Sequence, residues 1–100
     1  SLGVVAFELL AGARPYRLKR GSAAELEEAI ASADPPRASD VAADAARQRA
    51  LRGDLDAILD KALKKQPEQR FRSVIEFADD LRRHLDGEPL REVVDRARGR

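Results

Sequence analysis

Cysteine, methionine and tryptophan are all missing from this sequence of 100 residues. Without cysteine there is no disulfide framework, no thiolate metal site and no thiol redox chemistry, and nothing demands an oxidising compartment. Aromatic residues make up 4% of the chain, so any core has to be built from Leu, Val, Ile and Ala. Excess charge is lacking too: 19 basic residues stand against 18 acidic ones. That balance removes the electrostatic case for nucleic acid or an anionic membrane as an obligatory partner. The longest apolar stretch, Val4 to Ala11, is broken by Glu8 and falls far short of the ~20 residues that span a bilayer. The opening Ser-Leu-Gly-Val-Val has neither the charged start nor the cleavage site of a signal peptide. It reads as a chain entered midway, and a cytoplasmic location is expected.

What is present favours helices. Hydrophobic residues account for 43% and charged ones for 37%, a globular composition. Residues 2 to 11 carry apolar groups on every side of a 3.6-residue repeat, the pattern of a helix buried inside a larger body. Gly12 and Pro15 end it, and Arg14, Arg17, Lys19 and Arg20 make the next loop basic. Ser22 with Glu25 has the form of a capping box, which predicts a short helix to about Ala33, stopped by Asp34-Pro35-Pro36. Residues 37 to 53 are an Ala/Arg/Asp-rich connector, part of it helical. Leu55, Ile58, Leu59, Ala62 and Leu63 then fall at i, i+3, i+4, i+7 and i+8, with Asp54 as the expected N-cap and Pro67 beyond the end. A second capping box, Ser73 and Glu76, opens a helix whose expected apolar stripe is Val74, Phe77, Ala78, Leu81 and Leu85, closed by Gly87 and Pro89. A further short helix is expected in the tail from Leu90. No strand alternation and no repeat occurs, so the expected fold is all-α, four main helices with irregular loops and no internal domain boundary.

Three stretches carry a family resemblance over roughly residues 1 to 87, leaving 88–100 as a tail. The first, Ser1-Leu2-Gly3-Val4-Val5-Ala6-Phe7-Glu8-Leu9-Leu10-Ala11-Gly12 continuing to Pro15-Tyr16, has the form S-x-G-x-x-x-x-E-L-x-x-G-x-x-P-[FY]. It resembles the F helix and following loop of Hanks-type serine/threonine protein kinases of bacteria. Gly53 to Leu63 is similar to the H helix of that group. Lys65-Gln66-Pro67-Glu68-Gln69-Arg70-Phe71-Arg72-Ser73 resembles its turn into the last helix, K-x-P-x-x-R-[FY]-x-S. The resemblance implies the C-terminal half of the kinase large lobe, from the F to the I helix.

It also implies roles. Gly3, Glu8, Pro15, Pro67 and Arg70 would be structural positions of the lobe. Arg70 is the counterpart of the arginine that grips the glutamate ending the activation segment, a task suited to a planar two-pronged guanidinium. The basic residues Arg14, Arg17, Lys19 and Arg20 would form part of a docking surface for acidic or phosphorylated protein substrates, although a plain solvated loop is the simpler reading. The glycine-rich phosphate loop, the ATP-orienting lysine, the His-Arg-Asp loop, the Asp-Phe-Gly metal site and the Ala-Pro-Glu segment are absent from this sequence. The chain itself is therefore expected to hold no cofactor and no catalytic or metal-ligating residue. ATP and Mg²⁺ belong to the parent, whose remaining kinase domain would be the first partner of this segment. A free-standing helical interaction module is the competing reading.

The other polar residues are read structurally. Asp56, Asp60, Asp79 and Asp80 are expected in solvated ion pairs, because Arg and Lys surround them. His84 has no second ligand or nucleophile beside it. Tyr16 and Phe71 are expected to fill core. Ser22 and Ser73 serve as caps, and Ser39 carries no signal of its own.

Overall fold

A computed structural model describes residues 2–91. They form α1 (Leu2–Ala11), α2 (Ala23–Ser32), the short α3 (Ala38–Val41) and α4 (Ala45–Leu51), α5 (Asp54–Ala62), a 3₁₀ turn (Pro67–Gln69) and α6 (Val74–Leu85). The described residues contain no strand. The four main helices are those the periodicity predicts, and the connector supplies the two short ones. Ser1 lies outside the described residues, as does all of the tail helix expected from Leu90 except Leu90 and Arg91.

Both expected serine caps form, but the glutamates reach past the cap serines: Glu25 accepts from the N–H groups of Lys19, Arg20 and Gly21, and Glu76 from that of Arg72. Ser22 Oγ accepts from the Glu25 N–H at 3.1 Å, and Ser73 Oγ accepts from the Glu76 N–H at 3.2 Å, each satisfying an otherwise orphaned donor. The expected cap of α5 is one residue off: Gly53 holds the N-cap position, and Asp54 is the first helical residue, where its carboxylate still faces the positive end of the helix.

The core centres on α1. Val4, Phe7 and Ala11 pack with Tyr16, Ala38, Leu51, Leu59 and Leu63. A second cluster joins Ile58 to Phe77 and Leu90. Helix α1 crosses α5 at Gly3, where a Cβ would meet the Ala62 carbonyl oxygen at 2.9 Å and the Ala62 Cβ at 3.0 Å. Hydrogen is the only side chain that leaves this crossing undisturbed. At the other end of α1, Gly12 takes φ +69°, and the Arg47 guanidinium lies where its Cβ would stand. The glycine thus permits both the left-handed helix exit and the close approach of α4.

Helix α6 departs from its expected stripe. Phe77 and Asp80 are buried and Leu81 and His84 are half-buried, whereas Val74, Ala78 and Leu85 point outward. The helix is rotated so that Phe77 and Leu81, at one edge of the stripe, turn inward together with the polar Asp80 and His84, which bond to the Arg91 N–H and to Asp54. The described chain leaves Leu2, Val5 and Leu9 of α1 and Val74, Ile75 and Leu85 of α6 exposed. A helix as apolar as α1 with three large side chains in water is an incomplete burial.

Candidate functional site

Two places carry the sequence candidates: the turn at Arg70 and the loop between α1 and α2. Pro67 starts the 3₁₀ turn with φ already suited to it, and the Arg70 N–H closes on the Pro67 carbonyl at 3.1 Å. This aims the Arg70 side chain back at the end of α5. Its Nε donates to the Lys64 carbonyl and its Nη2 to the Lys65 carbonyl, the latter at 3.1 Å. A fixed guanidinium therefore sits on carbonyls at the negative end of a helix, a favourable place for a cation. These two bonds use two of five guanidinium N–H donors, so three are left for a further acceptor.

Arg70 also borders a groove of about 240 Å³ lined by Leu2, Gly3, Ala62, Phe71, Val74 and Phe77. The wall beside it is rigid: Phe71 meets Phe77 edge to face with ring centroids 5.2 Å apart, and Lys61 Nζ stands 4.6 Å from the Phe71 centroid. One guanidinium with spare donors at the rim of an apolar groove can hold a carboxylate beside small apolar side chains.

In the loop, Pro15 and Tyr16 are buried while Arg14, Arg17, Lys19 and Arg20 are exposed. Arg14 lies 3.6 Å from Glu8. Among the described residues, no ion pair occupies Arg17, Lys19 or Arg20. The loop is nevertheless held firmly by its backbone. The N–H groups of Lys19, Arg20 and Gly21 donate to the Glu25 carboxylate at 2.8, 2.8 and 3.1 Å. Those bonds, from Arg20, Lys19 and Gly21, hold the Glu25 pKa below the usual carboxylate range. The three cations are thus displayed from a fixed backbone beside a groove of about 420 Å³ lined by Val4, Val5, Pro15, Tyr16, Leu18 and Leu26. Burial pushes the Tyr16 hydroxyl pKa up, against the nearby Arg70 charge, and this hydroxyl has no hydrogen-bond partner among the described residues.

The carboxylates only partly follow expectation. Asp79 is in an ion pair with Arg82 at 3.0 Å and Arg83 at 2.9 Å, and Asp60 with Lys64 at 3.1 Å. Among the described residues, Asp56 and Asp80 are not in solvated ion pairs. Asp56 accepts both the backbone N–H and the hydroxyl of Ser39, and Asp80, 2% exposed, accepts the Arg91 N–H at 3.0 Å. Both tie distant backbone to a helix, a use that depends on tertiary approach and leaves no local trace in the sequence. His84 Nδ1 is 3.4 Å from Asp54 Oδ2, linking α6 to α5. No group of three or more acidic or histidine side chains suited to a metal ion occurs among the described residues. Nor is any described helix long and apolar enough to cross a membrane.

Known proteins similar to the chain are bacterial kinases. Serine/threonine-protein kinase PknB of Mycobacterium tuberculosis is 35% identical over 89 residues, which is 89% of this chain and 13% of that protein. Serine/threonine-protein kinase PknD of Chlamydia felis is 32% identical over 89 residues, 89% of this chain and 9% of its own length. No family model and no solved structure matches. The chain therefore spans only a small part of the relatives it matches. Its all-helical fold agrees with the large-lobe segment that the Gly3–Glu8–Pro15 and Pro67–Arg70 motifs resemble. Over 89 of its residues the chain is similar to bacterial serine/threonine protein kinases, and its all-helical fold is consistent with the C-terminal segment of their large lobe.

Proposed function

We propose that the chain works as the scaffold and docking part of a serine/threonine protein kinase that transfers the γ-phosphoryl group of ATP, with Mg²⁺, to protein hydroxyls. The observation that carries this reading is the apolar helix α1, half uncovered at Leu2, Val5 and Leu9, within a segment 35% identical to a kinase of which it spans 13%. In this reading the remainder of the kinase domain covers the exposed apolar side chains of α1. A carboxylate from that remainder takes the spare Arg70 donors. The basic loop at Arg14, Arg17, Lys19 and Arg20 receives acidic or phosphorylated stretches of protein substrates.

By itself the chain is proposed to be inactive. Phosphoryl transfer needs positioned Mg²⁺, phosphates and a base, and the motifs that supply them are not in this sequence. The test is the genomic sequence preceding the Ser1 codon. An in-frame kinase core with Ala-Pro-Glu, Asp-Phe-Gly and His-Arg-Asp motifs is expected. A start codon directly before Ser1 would overturn the reading in favour of a free-standing interaction module. Calorimetry of the isolated chain with Mg·ATP is expected to show no binding, and heat of saturable binding would contradict the proposed inactivity.

A further inference from the structure

The sequence holds five serines and no threonine, and their surroundings differ sharply. Ser39 is 3% exposed and held by Asp56. Ser32 follows Glu27 and Glu28 and donates its hydroxyl to the Glu28 carbonyl at 2.7 Å. Ser73 has Arg70 three residues before it, but that guanidinium is tied to the carbonyls of Lys64 and Lys65. Ser73 also has the exposed Arg72 directly before it, but Ser22 alone of these four is exposed with untethered bases two, three and five residues ahead, Arg20, Lys19 and Arg17.

The geometry points to Ser22 as a phosphorylation site, modified by a protein kinase whose peptide groove is acidic. Residues 17–22 have no helical or strand hydrogen bonding, and what ties residues 19–21 is the exposed Glu25 carboxylate, so once those bonds open the segment can be laid out in a groove that reads a charge pattern ahead of the hydroxyl. Helix α2, which follows, buries none of its residues and attaches only through half-buried Leu26, Ala29 and Ile30. Opening it locally costs far less than opening the core. The hydroxyl oxygen only accepts from the Glu25 N–H, so its proton is uncommitted.

In the reaction Ser22 Oγ attacks the γ-phosphorus of ATP, the bond from that phosphorus to the bridging oxygen breaks, ADP leaves, and the hydroxyl proton passes to the base of the modifying kinase. The product is a dianionic group at the start of α2, close to the Glu25 carboxylate and to the cations of the loop. A phosphoryl group adds about −1.5 to −2 charges, which cancels roughly half of the four positive charges on Arg14, Arg17, Lys19 and Arg20. Phosphate oxygens also compete with Glu25 for the N–H groups of Lys19, Arg20 and Gly21. Modification would weaken docking of acidic protein at this loop. That consequence rests on the docking role proposed above, whereas the modification does not.

The experiment incubates the full 100-residue chain with Mg·ATP and the catalytic subunit of the cyclic-AMP-dependent protein kinase as a base-directed probe, and locates phosphate by peptide mass mapping. Phosphate on Ser22 is expected, retained in Ser22→Thr and lost in Ser22→Ala. In Lys19→Ala/Arg20→Ala the rate should fall at least about tenfold. Phosphate on Ser73 with Ser22 bare, or a Lys19→Ala/Arg20→Ala rate equal to the parent's, would overturn the proposal. Circular dichroism shows whether each variant keeps its helices. Binding of a poly-glutamate peptide to the unmodified chain separately reports on docking, so failure of docking and failure of modification are told apart.

Discussion

Ser39 gives both its backbone N–H and its hydroxyl to one carboxylate, that of Asp56, and so pins α3 to α5 across 17 residues of chain. The serine is 3% exposed, so removing the acceptor strands buried donors. Asp56→Ala is expected to destabilise the fold by about 1–3 kcal/mol, and Ser39→Ala by less. A double-mutant cycle followed by urea denaturation should give a positive coupling between them. Additive effects would show that the pairing contributes nothing.

Gly3→Ala tests the crossing of α1 over α5. In an ordinary helix interior this change stabilises by about 1 kcal/mol. Here the added methyl meets backbone at 2.9 Å, and the helices must part. A net loss of about 1–3 kcal/mol is expected, read as a lower urea midpoint. A raised midpoint would mean that the crossing is looser than described.

The clamp on Arg70 depends on a forked donor. Arg70→Lys keeps the charge but cannot reach both the Lys64 and Lys65 carbonyls in the same geometry. A loss of about 1–2 kcal/mol is expected, with faster amide exchange over residues 66–71. Unchanged exchange there would remove the clamp as a cause.

Acid should loosen the basic loop before it melts the core. The folded pKa of Glu25 lies below its unfolded value, so its contribution is complete above the ordinary glutamate range near about 4.3 and is lost as pH falls through the folded pKa. The Gly21 amide resonance is expected to titrate below that range, and in Glu25→Gln the transition should vanish. A midpoint at or above the ordinary value would show that the three N–H bonds do not persist in solution.

How much of this the sequence foretells depends on distance along the chain. The serine caps at Ser22 and Ser73, the stops at Gly12 and Pro35-Pro36, and the stripe of α5 are all written within a few residues, and all appear in the fold. The facing of α6 does not, because the helix is rotated to bring the polar Asp80 and His84 inward beside Phe77 and Leu81, and their partners, at Arg91 and Asp54, are set by tertiary approach. Asp56 and Asp80 read as surface charges because the backbone they hold, at Ser39 and Arg91, is remote in sequence. For the site, the basic loop and the Arg70 turn are legible as patterns. The sequence shows Glu25 only as the partner of a capping serine, whereas its carboxylate goes to the loop N–H groups of Lys19, Arg20 and Gly21.

Tyr16, finally, is the sole tyrosine of a chain with no tryptophan, and it is buried beside α1 and the basic loop, its hydroxyl unpartnered among the described residues. Its emission therefore originates from one known point in the core. The molecule contains its own optical probe: any event that rearranges the first helix or the loop is reported from that point, with no label attached.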